Sequence, residues 1–211
     1  MKSEDALDEL ISRIPALESC KQEISLAAEA ITSCFKSGGT LLACGNGGSC
    51  ADADHMVGEL MKSFEKKRSL PEALKKRLLT ASPKRGAYLA DQLQAALPAI
   101  SLCSQSSLTT AISNDMDAAL VFAQQVAGYG RKGDVLLAIS TSGNSQNVVD
   151  AAITAKAKEM IVVGVTGQEG GKLHSYSDIT IRVPAESTAR VQEYHLPVYH
   201  ALCRIIENRL F

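Results

Sequence analysis

Four hydroxyl residues fall within six positions at Ser140, Thr141, Ser142 and Ser145. They leave an all-apolar run, Val135 to Ile139, and precede a helical pattern that opens at Gln146. Hydroxyls beside the unpaired N–H groups of a helix N-terminus form a ready set of donors for phosphate oxygens. No G-x-x-x-x-G-K-[ST] pattern is present, so the turn is not a nucleoside-triphosphate loop. A second turn of related character, Asn46-Gly47-Gly48-Ser49, follows the apolar run Thr40 to Cys44. Its glycines permit a sharp backbone turn and close approach to a ligand. His55 and Glu59 follow, four residues apart and so on one face of a helix. That spacing suits two ligands of one metal, a carboxylate and imidazole sharing acid–base work, or an ordinary surface pair. Near the C-terminus stand Gln192, His195 and His200. Gln192 and His200 are two helical turns apart, about 12 Å of rise. Spacing alone does not decide whether they meet one ligand or decorate a helix surface.

These residues need a frame, and the chain supplies one. With 211 residues, 45% of them hydrophobic and 21% charged, it has the composition of one soluble domain. A net charge of −1 gives no global drive toward nucleic acid or an anionic membrane. No apolar run reaches the roughly 18–20 residues that a membrane span needs. The acidic start, Met1 to Glu9, lacks the apolar centre of a secretion signal, and a cytoplasmic location is expected. The six cysteines, at 20, 34, 44, 50, 103 and 203, make no C-x-x-C pair and read as reduced and mostly buried.

Periodicity predicts helices over 5–14 and from Pro15 to about residue 36, together an N-terminal helical segment 1–36. Strands are expected at 40–44, 97–102, 135–140, 160–166 and 179–183. Helices are expected at 50–64 with Ser49 as N-cap, 106–112 ending at Asn114-Asp115, 118–128, 146–158 capped by the Thr141–Ser145 turn, and 188–211 with a kink at Pro197. Residues 65–95 form a basic insert holding eight of the 22 lysines and arginines, with leucines at the spacing of two short amphipathic helices. Apolar strands alternating with helices predict an α/β fold with a parallel sheet covered on both faces. Ligands of such sheets bind beyond the carboxyl ends of the strands, which places both Ser/Gly turns on one rim.

With these stretches in order, the chain resembles the sugar isomerase (SIS) domain family, and within it the phosphoheptose isomerase branch. The likeness rests on Cys44–Ser49 with His55 and Glu59, Asn114-Asp115, Gly133–Ser145, Thr166-Gly167 with Gly170-Gly171, and Arg190–Glu193 with His195 and His200. It spans nearly the whole chain apart from 65–95. The resemblance implies a single SIS domain over 1–211, a flavodoxin-like three-layer α/β/α fold with a five-stranded parallel sheet, and a homotetramer with active sites at subunit interfaces. It implies substrate and phosphate contacts from Asn46, Gly47, Gly48, Ser49, Asn114, Asp115, Ser140, Thr141, Ser142, Ser145 and Gln192. Glu59 and His200 match the family's acid/base pair. His55, Glu59, Gln192 and His200 match the zinc ligands of some members, one ion per subunit, and no nucleotide cofactor is implied. The activity implied is aldose–ketose isomerisation of sedoheptulose 7-phosphate to the aldoheptose 7-phosphate through an enediol.

Three features depart from the family pattern. Ser63 stands where many members carry Arg, with Lys62 beside it; Ala189 replaces an Asp; and the basic insert is long. All three bear on the sugar end and leave a different sugar phosphate as an alternative substrate. One expectation is that the insert, through Lys66, Lys67 and Arg68, covers the pocket or a neighbouring subunit; the other is that it is a solvated basic surface. A relative in the family regulates replication initiation without catalysis. The ending Asn208-Arg209-Leu210-Phe211 is similar to it, but Glu59 and His200, which that relative lacks, are both present here.

Overall fold

The computed structural model describes residues 3–211; Met1 and Lys2, at the head of the expected N-terminal segment, lie outside it. Five short apolar runs form the strands β1 (Leu41–Gly45), β2 (Ala99–Ser101), β3 (Val135–Ile139), β4 (Ile161–Thr166) and β5 (Ile179–Arg182). All pair in parallel, in the order β2-β1-β3-β4-β5. That is the doubly wound order with its switch point between β1 and β3.

Strand alternation divides the core into two layers. Leu41, Ala43, Val135, Leu137, Val163 and Ile181 face a cluster shared with α1 (Ser3–Arg13), α2 (Lys21–Lys36), α3 (Gly48–Met61) and α10 (Thr188–Leu210). Leu42, Cys44, Leu136, Ala138 and Val162 face the opposite cluster, built with α6 (Ser106–Asp115), α7 (Val121–Tyr129), α8 (Gln146–Ala157) and α9 (Gly171–His174). Residues of both parities are fully buried in β3, as a central strand with two covered faces requires. Each buried leucine contributes roughly 1.5–3 kcal/mol over an exposed one. Asp134 fixes the start of β3: its two carboxylate oxygens accept from the Thr40 and Arg131 N–H groups, both at 2.8 Å.

Several boundaries differ from those expected. The helix expected at 50–64 runs from Gly48 to Met61, and Gly47 rather than Ser49 is its N-cap. Gly47 has φ +55°, a conformation glycine adopts freely, so the chain turns two residues sooner than side-chain capping would predict. Asn114 and Asp115 end inside α6 instead of breaking it. The expected 118–128 helix is a 3₁₀ turn (Ala118–Leu120) followed by α7, because Asp117 caps the turn by accepting from Ala119 N–H at 2.8 Å. Pro15 opens a 3₁₀ helix (Pro15–Cys20) ahead of α2. The Gly167–Gly171 turn leads into α9, a single turn that was not foreseen. Ser145 occupies the N-cap of α8, but its side chain makes no cap bond. α10 runs from Thr188 to Leu210 with Pro197 inside it.

The insert contains two helices, as its leucine spacing predicts: α4 (Glu72–Ala81) and α5 (Pro83–Gln92). They pack against each other so closely at Gly86 that a Cβ there would lie 1.9 Å from the Leu78 carbonyl oxygen. Arg68 does not belong to a solvated basic surface. It is 1% exposed, and its Nε donates to Glu207 Oε1 at 2.7 Å. A guanidinium is buried only where a carboxylate and carbonyls receive its N–H groups, and Leu60 O and Glu59 O take the others.

Candidate active site

The two Ser/Gly turns do lie on one rim. Gly45 pairs with Ile139, so β1 and β3 release the chain at the same level. The side-chain amides of Asn46 and Asn147 then exchange two hydrogen bonds, at 2.8 and 2.9 Å, across the switch point. In the second turn Ser140 is buried and its Oγ donates to Ser145 Oγ at 3.1 Å. Ser142 Oγ accepts from Asn144 N–H at 3.2 Å. Gly143, at φ +65°, closes the turn with its N–H on Ser140 O at 3.0 Å. A Cβ at Gly143 would lie 1.9 Å from Gly170 O, so the Gly170-Gly171 pair and this turn are built against each other. A recess of about 380 Å³ opens beside it, lined by Thr141, Ser142, Asn144, Gly167, Gln168 and Glu169. Hydroxyls not committed to capping, at a helix N-terminus beside a recess, suit an oxyanion.

α3 and α10 run side by side in the same direction and carry the remaining candidates. At the N-terminal end of α3, Gln192 presses on the glycine turn: a Cβ on Gly48 would lie 2.3 Å from Gln192 Nε2. Ser49, in the first turn of α3, is 3% exposed. Two turns along, the rings of His55 and His200 meet edge to face with centroids 5.0 Å apart. His55 Nε2 lies 3.4 Å from Glu59 Oε1, and Lys62 Nζ lies 2.7 Å from Glu59 Oε2. Lys62 thus places a cation one position before Ser63. Ser63 itself organises the following loop, accepting from Arg68 N–H at 3.0 Å and donating its own N–H to Gln94 at 2.8 Å. Ala189 is exposed at the start of α10.

The structure brings His55, Glu59 and His200 together and holds Gln192 at the other end of α3. Asn114 and Asp115 are exposed at the end of α6, where the Asn114 amide donates to Asp115 Oδ1 at 2.8 Å. Among the described residues, no three His, Cys, Asp or Glu side chains are gathered as a metal site. The imidazole and carboxylate donors suit zinc chemically, and His200 Nε2 is buried without a partner. Gln192 does not reach them, so the four-residue set does not close within one chain.

Burial pushes the His200 imidazole below its ordinary range and His55 adds to this, while Glu59 and Glu65 pull the other way. His200 is therefore held toward its neutral form, with one ring nitrogen to donate and one to accept. A second recess of about 370 Å³ borders His200 between α1 and α10, with Arg13, Phe64, Leu196 and Arg204 in its wall.

Two residues of this cluster were not singled out from the sequence. Tyr199 donates or accepts at His55 Nδ1 at 2.9 Å, and Asp52 sits one turn before His55 with its Oδ2 buried and unpartnered. The helical spacing of Asp52, His55 and Glu59 was the available signal, since all three fall on one face.

The sequence profile of the SIS domain matches residues 5–87 and 84–167. Phosphoheptose isomerase of Laribacter hongkongensis (strain HLHK9) is 39% identical over 207 residues, covering 97% of this chain and 92% of that protein. The phosphoheptose isomerase of Shewanella sp. (strain ANA-3) is 40% identical over 203 residues, covering 95% and 90%. Among solved structures, the chain is similar to phosphoheptose isomerase from Neisseria gonorrhoeae, with a TM-score of 0.72, 34% identity and 97% of both chains covered. A phosphoheptose isomerase from Francisella tularensis gives a TM-score of 0.76 at 33% identity, covering 98% of both chains.

Proposed function

The chain belongs to the SIS domain family, and on that premise we propose that it is a sugar-phosphate aldose–ketose isomerase converting sedoheptulose 7-phosphate to D-glycero-D-manno-heptose 7-phosphate. The observation that carries this reading is the meeting of Glu59 with His55 and His200 between α3 and α10, in a chain that also bears the four-hydroxyl turn after β3. A non-catalytic regulator has no need of that pair.

In the proposed reaction the phosphate rests on Ser140, Thr141, Ser142 and Ser145, and Asn46, Ser49 and Gln192 face the sugar, with Asn114 and Asp115 contributing from the end of α6. The Glu59 carboxylate takes the proton from the carbon beside the carbonyl and returns it to the neighbouring carbon. His200, neutral and able to donate and accept at once, moves the other proton between the two oxygens of the enediol. Lys62 steadies the far oxygen of Glu59 while Oε1 remains turned toward the histidines.

The proposal extends to a cytoplasmic homotetramer with the site at a subunit interface. It also extends to a zinc ion that takes His55 and Glu59 from one chain and completes its ligands from a neighbour. When bound, such an ion supplies positive charge for the sugar oxygens. Light scattering on the purified chain and metal analysis test these two extensions.

The decisive experiment incubates purified protein with sedoheptulose 7-phosphate and follows aldoheptose 7-phosphate. Wild type should turn over, and Glu59→Gln and His200→Gln should each lose on the order of 10²–10⁴ in kcat. Wild-type inactivity across a panel of ketose phosphates would overturn the enzyme reading.

A further inference from the structure

We infer that Asn147 is a positioning residue for sugar recognition: its side-chain amide holds the amide of Asn46 across the gap between the two Ser/Gly turns, and so acts on the sugar through Asn46. The inference rests on the proposed isomerase reading for the ligand that Asn46 meets, but not for the pairing of the two amides.

Asn46 is the first residue beyond β1, and Asn147 is the second residue of α8. The level ends of β1 and β3, set by the pairing of Gly45 with Ile139, let the two side chains meet. Asn46 Nδ2 donates to Asn147 Oδ1 at 2.8 Å, and Asn147 Nδ2 donates to Asn46 Oδ1 at 2.9 Å. A primary amide carries two N–H donors and a carbonyl with two lone pairs. The reciprocal pair uses one of each, so Asn46 keeps one N–H and one lone pair for a ligand. Asn46 is exposed and can offer them, while Asn147 is half-buried. An unpaired amide can turn over by half a rotation and exchange its donor for its acceptor. Within the pair, a turn of Asn46 alone would set oxygen against oxygen and nitrogen against nitrogen. The two amides therefore move together or not at all, and Asn46 is ordered before a ligand arrives.

The neighbouring amides are committed elsewhere. The Asn144 amide donates to Ser142 O at 3.0 Å, and its carbonyl accepts from Lys172 N–H at 3.1 Å. The Gln146 amide donates to Asp150 Oδ1 at 2.7 Å, along its own helix. Ser140 and Ser145 bond each other through their hydroxyls at 3.1 Å. Of the three side-chain amides at the head of α8, Asn147 is the one that crosses to the glycine turn. It does so without engaging the hydroxyls assigned to phosphate. Its effect on a ligand is thus routed through Asn46, toward the sugar.

The test is a double-mutant cycle with Asn46→Ala, Asn147→Ala and both together, read with sedoheptulose 7-phosphate. Asn147→Ala alone should raise KM about fivefold, the scale of one or two lost hydrogen bonds, with kcat and inhibition by inorganic phosphate each within about twofold of wild type. In the Asn46→Ala background the same change should add less than about twofold, because Asn147 then has nothing to hold. A residue that only braces the fold would cost as much in both backgrounds. Effects that multiply in the double variant, or a KM unchanged in Asn147→Ala, would overturn the inference. So would an equal weakening of inorganic phosphate, which would make Asn147 part of the phosphate turn. Side-chain amide NMR of the free chain needs no substrate. The Asn46 amide signals should shift in Asn147→Ala, and signals left in place would overturn the pairing. If those signals shift but the chain turns over no sugar phosphate, the failure belongs to the isomerase reading, and the same cycle is read from calorimetric binding of sedoheptulose 7-phosphate.

Discussion

His195 shows how much a single position in α10 weighs on the molecule. It is 1% exposed, and neither ring nitrogen finds a hydrogen-bond partner. Burial pushes its imidazole down to about 4, with the Thr166 backbone opposing. In the unfolded chain the same ring titrates near 6.5. Between those values the unfolded state binds a proton that the folded state refuses, so stability falls as pH falls from about 6.5 toward 4. The full window corresponds to about 3 kcal/mol, taking roughly 1.4 kcal/mol per pKa unit. Urea unfolding at pH 7 and pH 5 should show roughly 2 kcal/mol of this loss in wild type and a flatter response in His195→Gln. A second residue-scale prediction separates the two turns. Ser49 is buried in the first turn of α3, which follows β1, whereas the four-hydroxyl turn follows β3. Ser49→Ala should raise KM for the sugar phosphate several-fold and leave inhibition by inorganic phosphate nearly unchanged. An equal loss for both ligands would argue against assigning the sugar to the glycine turn and the phosphate to the other.

At the scale of elements, the C-terminal end of α3 is held by a pair that joins distant parts of the chain. Glu207 of α10 accepts from the N–H groups of Phe64, Glu65 and Lys66 at 2.9–3.0 Å as well as from Arg68. Burial alone would push its carboxyl up, but these donors outweigh it and hold it below the ordinary range. Arg68 in turn bonds the Glu59 and Leu60 carbonyls and lies over the Phe211 ring. Breaking a buried pair from one side costs about 3–5 kcal/mol. Glu207→Leu should cost more than Arg68→Met, because it also strands three backbone donors, and denaturant unfolding of the two variants ranks them. Little of this was legible beforehand. Arg68 reads as one of a basic run, Lys66-Lys67-Arg68, and its partner lies 139 residues away. The apolar strands and the alternation that splits the core were legible because they depend on local period alone. The helix start at Gly48 was not, because a glycine at positive φ competes with a capping serine and only the folded backbone decides. His55, Glu59 and His200 were legible through the family resemblance, whereas Tyr199 was not, because its contact with His55 comes from packing across two helices.

At the scale of the whole molecule, the chain divides into a doubly wound body and a helical hairpin that shares little with it. The hairpin carries Lys75, Lys76, Arg77, Lys84 and Arg85 against Glu72 and Asp91, and Gly86 is the only residue of its two helices that is buried. Leu74, Leu78 and Leu89 are half-buried against one another, while Leu79, Tyr88 and Leu93 face solvent. Its base is already closed without it: Ser69 and Gln94 form an antiparallel bridge, and Ala95 N–H donates to Arg68 O at 3.0 Å. Hydrophobic stabilisation follows buried apolar area, and the hairpin adds almost none to either layer of the core. Replacing residues 71–93 by a short glycine-rich turn from Leu70 to Gln94 should therefore keep the melting temperature within about 3 °C of wild type. Far-UV circular dichroism should lose only the signal of two short helices, and unfolding should stay a single cooperative step. A melting temperature lower by 10 °C or more would mean that the hairpin belongs to the folding unit of the body. If the proposed tetramer forms, its loss with stability retained would instead assign the hairpin's exposed Leu79, Tyr88 and Leu93 to contacts between chains.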